Sequence, residues 1–240
     1  MDDHFLFYVP PEYFVSGQLQ FPEEEARHII KVLRKRVSDV VQVTDGMGNR
    51  MEVRLTSVDK KTVSGDVVAG TFEPPGPDRI LAMGAIRQRD RLEFAIEKAV
   101  ELGATRIILV HSDHAEKVRV KESRIEKIII SAMKQSRQCH LPRWEERACF
   151  DEVISDYSEN RKVLMAHPDS EDDATNKTAD VQNRENDRIP QLLLVGPEGG
   201  FSGEEVRKAS EIGAIRISLG PKRLRAETAV CALLTLTMYR

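Results

Sequence analysis

Residues 192–205 read Leu-Leu-Leu-Val-Gly-Pro-Glu-Gly-Gly-Phe-Ser-Gly-Glu-Glu, and this stretch decides the fold class. Its four opening apolar residues predict a strand buried on both faces, as in a parallel sheet covered by helices. Ser202 and Glu205 stand in the spacing of a capping box, in which each side chain satisfies the other residue's free amide at a helix start. Val206, Ala209 and Ile212 then supply a helical apolar stripe. Between strand and helix lies Gly196-Pro197-Glu198-Gly199-Gly200, at the C-terminal end of the strand, where open α/β sheets bind ligands. The turn is neither GxGxxG nor a P-loop. Taken alone, it serves a structural bend or a ligand equally well.

Working outward, the same pattern recurs. Apolar runs at 80–83, 107–110, 163–166 and 215–219 alternate with helical periodicity. One predicted helix carries Leu92, Ala95, Ile96, Ala99 and Leu102; another carries Ile125, Ile128, Ile129, Ala132, Met133 and Ser136. A last helix is predicted from about Ala226 to the end. This is an α/β domain over 78–240, with a polar loop at 168–190 predicted on its surface. Residues 1–72 read as β-rich, with one helix predicted from Pro22 to Arg36 that sets Ala26, Ile29, Ile30 and Leu33 on one face. The linker is FEPPGPD at 72–78, whose prolines oppose both helix and sheet.

The composition, 40% hydrophobic and 31% charged over 240 residues, is that of an ordinary globular chain. The first residues lack the basic and apolar regions of a secretory signal, and no apolar run approaches the roughly 20 residues needed to span a bilayer. The expectation is a cytoplasmic protein with no membrane association. Three cysteines and six histidines show no ligand spacing, so no metal site is expected. Net charge is −3, yet charge is segregated. Residues 117–143 carry eight Lys/Arg against two acids, and 168–188 carry seven acids against three bases. A basic stretch of this kind suits a solvated helix face or an RNA surface.

A second loop follows the strand predicted at 215–219: Leu219-Gly220-Pro221-Lys222-Arg223-Leu224-Arg225-Ala226-Glu227-Thr228-Ala229. Its cations precede an apolar helix, whose N-terminal amides attract anions. A basic surface turn, with Glu227 as a helix-start carboxylate, is the structural alternative.

GPEGG followed by LGPKRLRAETA resembles the paired C-terminal signatures of RsmE-type 16S ribosomal RNA methyltransferases of the SPOUT superfamily. Lys98-Ala-Val-Glu-Leu-Gly103 is similar to that family's KxxELG helix end, and Met133-Lys-Gln-Ser136 with Leu141-Pro142 to its Gln-Ser…Pro segment. His28, Val32-Leu33-Arg34 and Asp45-Gly46 match its N-terminal pattern, so the likeness covers nearly the whole chain. Lys222-Arg223 stands where the family usually has Arg-Ile.

The resemblance implies a parallel sheet with a C-terminal trefoil knot and a homodimer. It also implies an N-terminal PUA-like β-barrel over 1–72 that helps to hold RNA, before a methyltransferase domain over 78–240. The implied reaction transfers a methyl group from S-adenosylmethionine to N3 of a uridine in the decoding region of the small (30S) ribosomal subunit. The cofactor residues implied are Ala166, His167, Leu194, Val195, Gly196, Pro197, Glu198, Gly199, Gly200, Ser218, Leu219, Gly220, Leu224 and Arg225. Arg225 is the charge-stabilising candidate, and Glu198 and Glu227 are the candidate bases. Arg27, Arg34, Arg124, Lys127, Lys134, Gln135 and Arg137 are expected at RNA, with Phe5, Phe7 or Tyr8 as stacking residues. Glu93, Glu97 and Glu101 share a helix face with Arg89 and Lys98 nearby, which reads as an exposed charged face. Two other classes compete: a non-catalytic RNA-binding protein would not bind the methyl donor, and a phosphate-binding enzyme would need a phosphate cradle that the chain lacks.

Overall fold

A computed structural model describes residues 5–15, 18–116, 118–167 and 189–238. The polar loop expected at 168–190 therefore falls, but for its last two residues, outside the described residues, as does Lys117 of the basic stretch. The chain divides into two compact units, Met1–Pro75 with Ile130–Leu141, and Gly76–Ile129 with Pro142–Arg240.

In the first unit, β1 (Leu6–Tyr8), β2 (Phe14–Val15), β3 (Gln18–Gln20), β4 (Val40–Thr44), β5 (Asn49–Val58) and β6 (Val63–Phe72) form one sheet. Their order is β1-β4-β5-β6-β3-β2, antiparallel except for β1 beside β4. Phe7, Leu19, Val43, Val53 and Leu55 project from it onto Ala26 and Ile29, which anchor the short helix α1 (Glu23–Arg27). The helix predicted to Arg36 is shorter than expected. After α1 the chain widens into a π-helical turn, His28–Val32, with the Leu33 amide donating to the His28 carbonyl, and ends in Arg34 at φ +53°. Ile130–Leu141 joins this unit through its main chain, a grouping that chain order does not reveal. The Gly48 amide donates to the Cys139 carbonyl (2.8 Å), the Leu141 amide to Gly46 (2.8 Å), and the Thr44 hydroxyl also reaches the Cys139 carbonyl (3.2 Å).

The second unit is built on six parallel strands in the order β12-β10-β11-β7-β8-β9. They are β7 (Arg79–Gly84), β8 (Arg106–Val110), β9 (Arg143–Arg147), β10 (Lys162–Ala166), β11 (Gln191–Val195) and β12 (Ile215–Ile217). Successive side chains leave opposite faces of a strand, and in the four inner strands, β10, β11, β7 and β8, both faces are apolar. Ile80, Ala82, Ile108, Val163, Met165, Leu192 and Leu194 pack with Phe150, Val153 and Ala209 of α4 (Phe150–Tyr157) and α5 (Gly203–Glu211). On the opposite side α2 (Arg89–Glu101) packs against α6 (Ala226–Met238), which also meets β11. The remaining helix is α3 (Glu122–Gln135). Ser202 and Glu205 form the expected capping box, with the Ser202 amide 2.7 Å from Oε2 of Glu205.

Two features depart from the sequence-based expectation. The last strand ends at Ile217, so Ser218 and Leu219 belong to the following loop. Strand β9 and helix α4 were not anticipated. The sequence of β9, Arg-Trp-Glu-Glu-Arg, lacks the apolar signature because it is an outer strand, where charge discourages further pairing.

Candidate functional site

Strands β10, β11 and β12 lie side by side, and the loops leaving their C-terminal ends converge on one cavity of about 1160 Å³. Its wall contains Ala166 and His167 after β10, residues 195–201 after β11, and residues 218–226 with Ala229 after β12. Of the fourteen residues assigned to a cofactor from sequence, thirteen line this space. Leu194 does not: it is 1% exposed, on the strand face packed under α4 and α5, because alternation along β11 turns it into the core.

Small residues make the cavity possible. A Cβ on Gly84 at the end of β7 would lie 2.4 Å from both N and Cδ of Pro197. A Cβ on Gly196 would lie 3.0 Å from the Gly200 carbonyl carbon and the Phe201 nitrogen. The loop after β11 is thus folded tightly on itself and pressed against β7. Gly200 closes the turn, its amide donating to the Pro197 carbonyl (2.8 Å) at a φ of +75°, a conformation that glycine adopts at little cost.

Neighbouring loops brace this turn. The Ser202 hydroxyl donates to Oδ2 of Asp113 (2.6 Å), and the Asp113 amide donates to Oε1 of the 3%-exposed Glu205 (3.1 Å). The chain after β8 is thereby tied to the start of α5. The Phe201 ring packs edge-on to Phe150, with centroids 5.3 Å apart. From the β12 side, Nη2 of Arg223 donates to the Glu198 carbonyl (2.9 Å), joining the two glycine-containing loops directly. Arg223 and Phe201 were missed as individual site residues, though both stand in or beside the quoted motifs. The Asp113 brace had no sequence signal, being remote in the chain.

The three candidate catalytic residues occupy different settings. Glu198 and Arg225 are exposed and line the cavity. Arg225 ends the loop, and its carbonyl accepts from the Ala229 amide (2.9 Å), so it stands at the start of α6. Glu227 lies outside the cavity lining, 9% exposed, with one oxygen 3.6 Å from the Arg91 guanidinium of α2 and the other without a hydrogen bond.

Expected RNA residues are spread over both units. In the first, Lys134 pairs with the largely buried Glu25, and Arg27 with Glu23 at 3.2 Å. Arg34, Gln135 and Arg137 are exposed. In the second, Arg124 grips Glu93 through two nitrogens (2.8 and 3.1 Å), and Lys127 is also exposed. Arg124, together with Arg89, holds the Glu93 carboxyl down to about 2. Phe7, one of the residues expected to stack on bases, is 2% exposed in the first core and so cannot do so; Phe5 is half exposed. Among the described residues no three metal-ligating side chains stand together, and no helix is long and apolar enough to cross a membrane.

The family model for an RNA methyltransferase domain matches residues 74–238. The chain belongs to this RNA methyltransferase family. A second model, the RNA methyltransferase PUA domain, matches residues 21–68. Ribosomal RNA small subunit methyltransferase E of Bacillus subtilis (strain 168) is 28% identical over 238 residues, 96% of this chain and 91% of that protein. Among solved structures, a probable rRNA-methyltransferase from Porphyromonas gingivalis superposes with a TM-score of 0.81 at 34% identity, covering 96% of this chain and 95% of that one. The Neisseria gonorrhoeae ribosomal RNA small subunit methyltransferase E, bound to S-adenosyl methionine, gives 0.79 at 28% identity, over 96% and 95%. For this methyltransferase the question becomes what its cavity holds and how its residues act there.

Proposed function

We propose that this methyltransferase uses S-adenosylmethionine to methylate N3 of a uridine in the decoding region of 16S rRNA in the 30S subunit. One observation carries the reading: two glycine-containing loops, tied by Arg223, enclose a cavity at the ends of β10, β11 and β12. Its volume, about 1160 Å³, exceeds the roughly 300–1,000 Å³ of an ordinary ligand pocket and leaves room for a nucleobase beside the cofactor. The cradle fits the cofactor. Gly196, Gly199 and Gly200 present main chain rather than side chain, which suits an adenosine read by backbone amides and carbonyls. Ala166, His167, Leu219, Gly220 and Leu224 complete the holding surface.

The bound sulfonium supplies an electrophilic methyl group. Everything else falls to the chain. A uridine N3 is a weak nucleophile until its imide proton leaves, and the departing proton puts negative charge on the ring oxygens. Arg225, permanently cationic and at the first turn of α6, is placed to orient the base and hold that charge. Glu198, exposed on the cavity wall, is the carboxylate placed to take the proton, a role worth about 10²–10⁴ in rate. Glu227 instead braces α6 against Arg91.

The first unit, over 1–72, is proposed as a PUA-like β-barrel that holds RNA, and 78–240 as the SPOUT methyltransferase domain. A trefoil knot in the C-terminal part belongs to the same proposal, in a sheet where β12 returns to pair with β10 on the side away from β11. A homodimer and a cytoplasmic setting complete the proposal, with no metal or membrane in it. Calorimetry with S-adenosylmethionine tests the core of it, and absence of binding by the intact chain refutes it. Mass spectrometry of 16S rRNA from cells lacking the protein then identifies the base. Loss of methylation elsewhere than uridine N3 refutes the site.

A further inference from the structure

We infer that Phe72, at the end of β6, is a stacking platform for an unpaired base of the RNA substrate, with Arg137, in the segment that brings His140 to Phe72, for the adjoining phosphate. This inference rests on the RNA-directed reading above and names an RNA-binding residue that the reading does not contain.

The platform is within the first unit. Phe72 is 61% exposed and Met47 63%, among the most exposed large apolar side chains of the described residues. Both border Gly48, over which the Phe72 and His140 rings close. A Cβ on Gly48 would lie 2.8 Å from Cε2 of Phe72, 2.7 Å from Cε1 of His140 and 2.7 Å from the Glu73 carbonyl oxygen. The two rings meet edge to face, with centroids 6.4 Å apart and planes at 80°. The His140 ring nitrogen is fixed by the Glu73 carbonyl (2.8 Å). The Phe72 ring is therefore supported on one side while most of its surface faces solvent, as a stacked base requires.

Charge identifies the occupant. Arg50 donates to Oε1 of Glu73 (2.6 Å), neutralising the nearest carboxylate, and to the Arg137 carbonyl (2.7 Å). Arg137 itself is exposed, has no ion-pair partner among the described residues, and is held at φ +58°. A left-handed arginine costs about 1–2 kcal/mol that glycine would not. An exposed ring packed on His140, in the same short segment that carries the unpaired Arg137 three residues earlier, suits a nucleotide, which offers a π-face and a phosphate together. A protein partner of apolar surface has no use for the cation.

Binding of a 16S rRNA fragment should weaken about 5- to 150-fold in Phe72→Ala, the range for loss of one stacked base. Phe72→Trp should restore it, and Phe72→Leu, apolar but without a ring, should not. S-adenosylmethionine affinity should be unchanged in all three, and kcat at saturating RNA nearly so. The exposure of Phe72 makes misfolding of the leucine variant avoidable, which thermal melting checks. Equal RNA affinity in wild type and Phe72→Ala overturns the inference while leaving the methyltransferase reading intact. Full rescue by leucine, or loss of affinity for the protein-containing subunit but not for naked RNA, also overturns it, by pointing to a protein partner at this ring. If wild type fails to bind S-adenosylmethionine, the parent reading falls instead.

Discussion

Gly84→Ala probes the packing of the loop after β11, the proposed cofactor loop, without touching its surface. The added methyl would lie 2.4 Å from Pro197 N and Cδ, about 1 Å short of ordinary contact, and one of those atoms is main chain. The end of β7 is held between β11 and β8, so Pro197 and the turn behind it must give way. Overpacking of this kind costs about 1–3 kcal/mol, which for a chain of this size lowers Tm by roughly 2–12 °C. Displacement of the cradle by about 1 Å should cost far more function than stability, on the order of 100-fold in kcat/KM. Calorimetry with S-adenosylmethionine and a methyl-transfer assay on 30S subunits, run below the variant's Tm, measure both. If Gly84→Ala binds the cofactor and turns over within twofold of wild type, the loop is not held by β7, and the reasoning fails.

Arg225→Ala should lower kcat by about 10²–10³ with little change in cofactor affinity, since its side chain acts on charge that develops during transfer; normal turnover removes it from the mechanism. For Glu227→Gln the expectation is a kcat–pH profile of unchanged shape with a loss of about 1–3 kcal/mol in stability, because a buried partner of Arg91 is neutralised. Disappearance of the acid limb of that profile would make Glu227 a base after all. Glu93, held at about 2 by Arg124 and Arg89, contributes stability that is present above the usual carboxylate range and is lost as pH falls towards 2. The pair is surface-exposed on the arginine side, so the contribution is under about 1 kcal/mol. Urea titrations of Glu93→Gln and wild type should therefore converge near pH 2 and separate above pH 5; a constant gap across that range contradicts the assignment.

The parallel sheet was legible because its four inner strands are apolar on both faces, a pattern common in the covered parallel sheets of α/β proteins. The capping box at Ser202 was legible for a similar reason: its hydrogen bonds are local, so its residues are near in sequence. Strand β9 was not, since an outer strand carries charge where a central one carries valine or leucine. The loops that line the cavity could be singled out because glycine clusters mark close backbone approach. That the Leu194 side chain faces the core rather than the cavity follows from which face of β11 the helices α4 and α5 cover, which the sequence alone does not give. The roles of Asp113 and Cys139 depend on hydrogen bonds across the fold, and no spacing rule encodes those. Phe72 was hidden by its prolines: a linker reading of 72–78 takes its first residue for loop, whereas β6 runs through it.

Counting charge along 117–143 overstates what is available to RNA, because Arg124 and Lys134 already hold carboxylates and a phosphate must displace them. The cations readier to meet phosphate are those that pair with nothing acidic among the described residues. Arg34 and Arg137 are two such, and both sit in left-handed backbone, at φ +53° and +58°. Glycine in either place would relieve about 1–2 kcal/mol of strain and forfeit about 0.5–1 kcal/mol through the looser unfolded chain. The double variant Arg34→Gly/Arg137→Gly should then be as stable as wild type or up to about 3 kcal/mol better, raising Tm by as much as ~12 °C. If the arginines are kept for RNA, the same variant should bind 16S rRNA more weakly and with a shallower salt dependence, the slope falling by about 0.7–0.9 for each phosphate no longer neutralised. A variant that gains stability and keeps its full salt dependence would leave both arginines without a role at RNA.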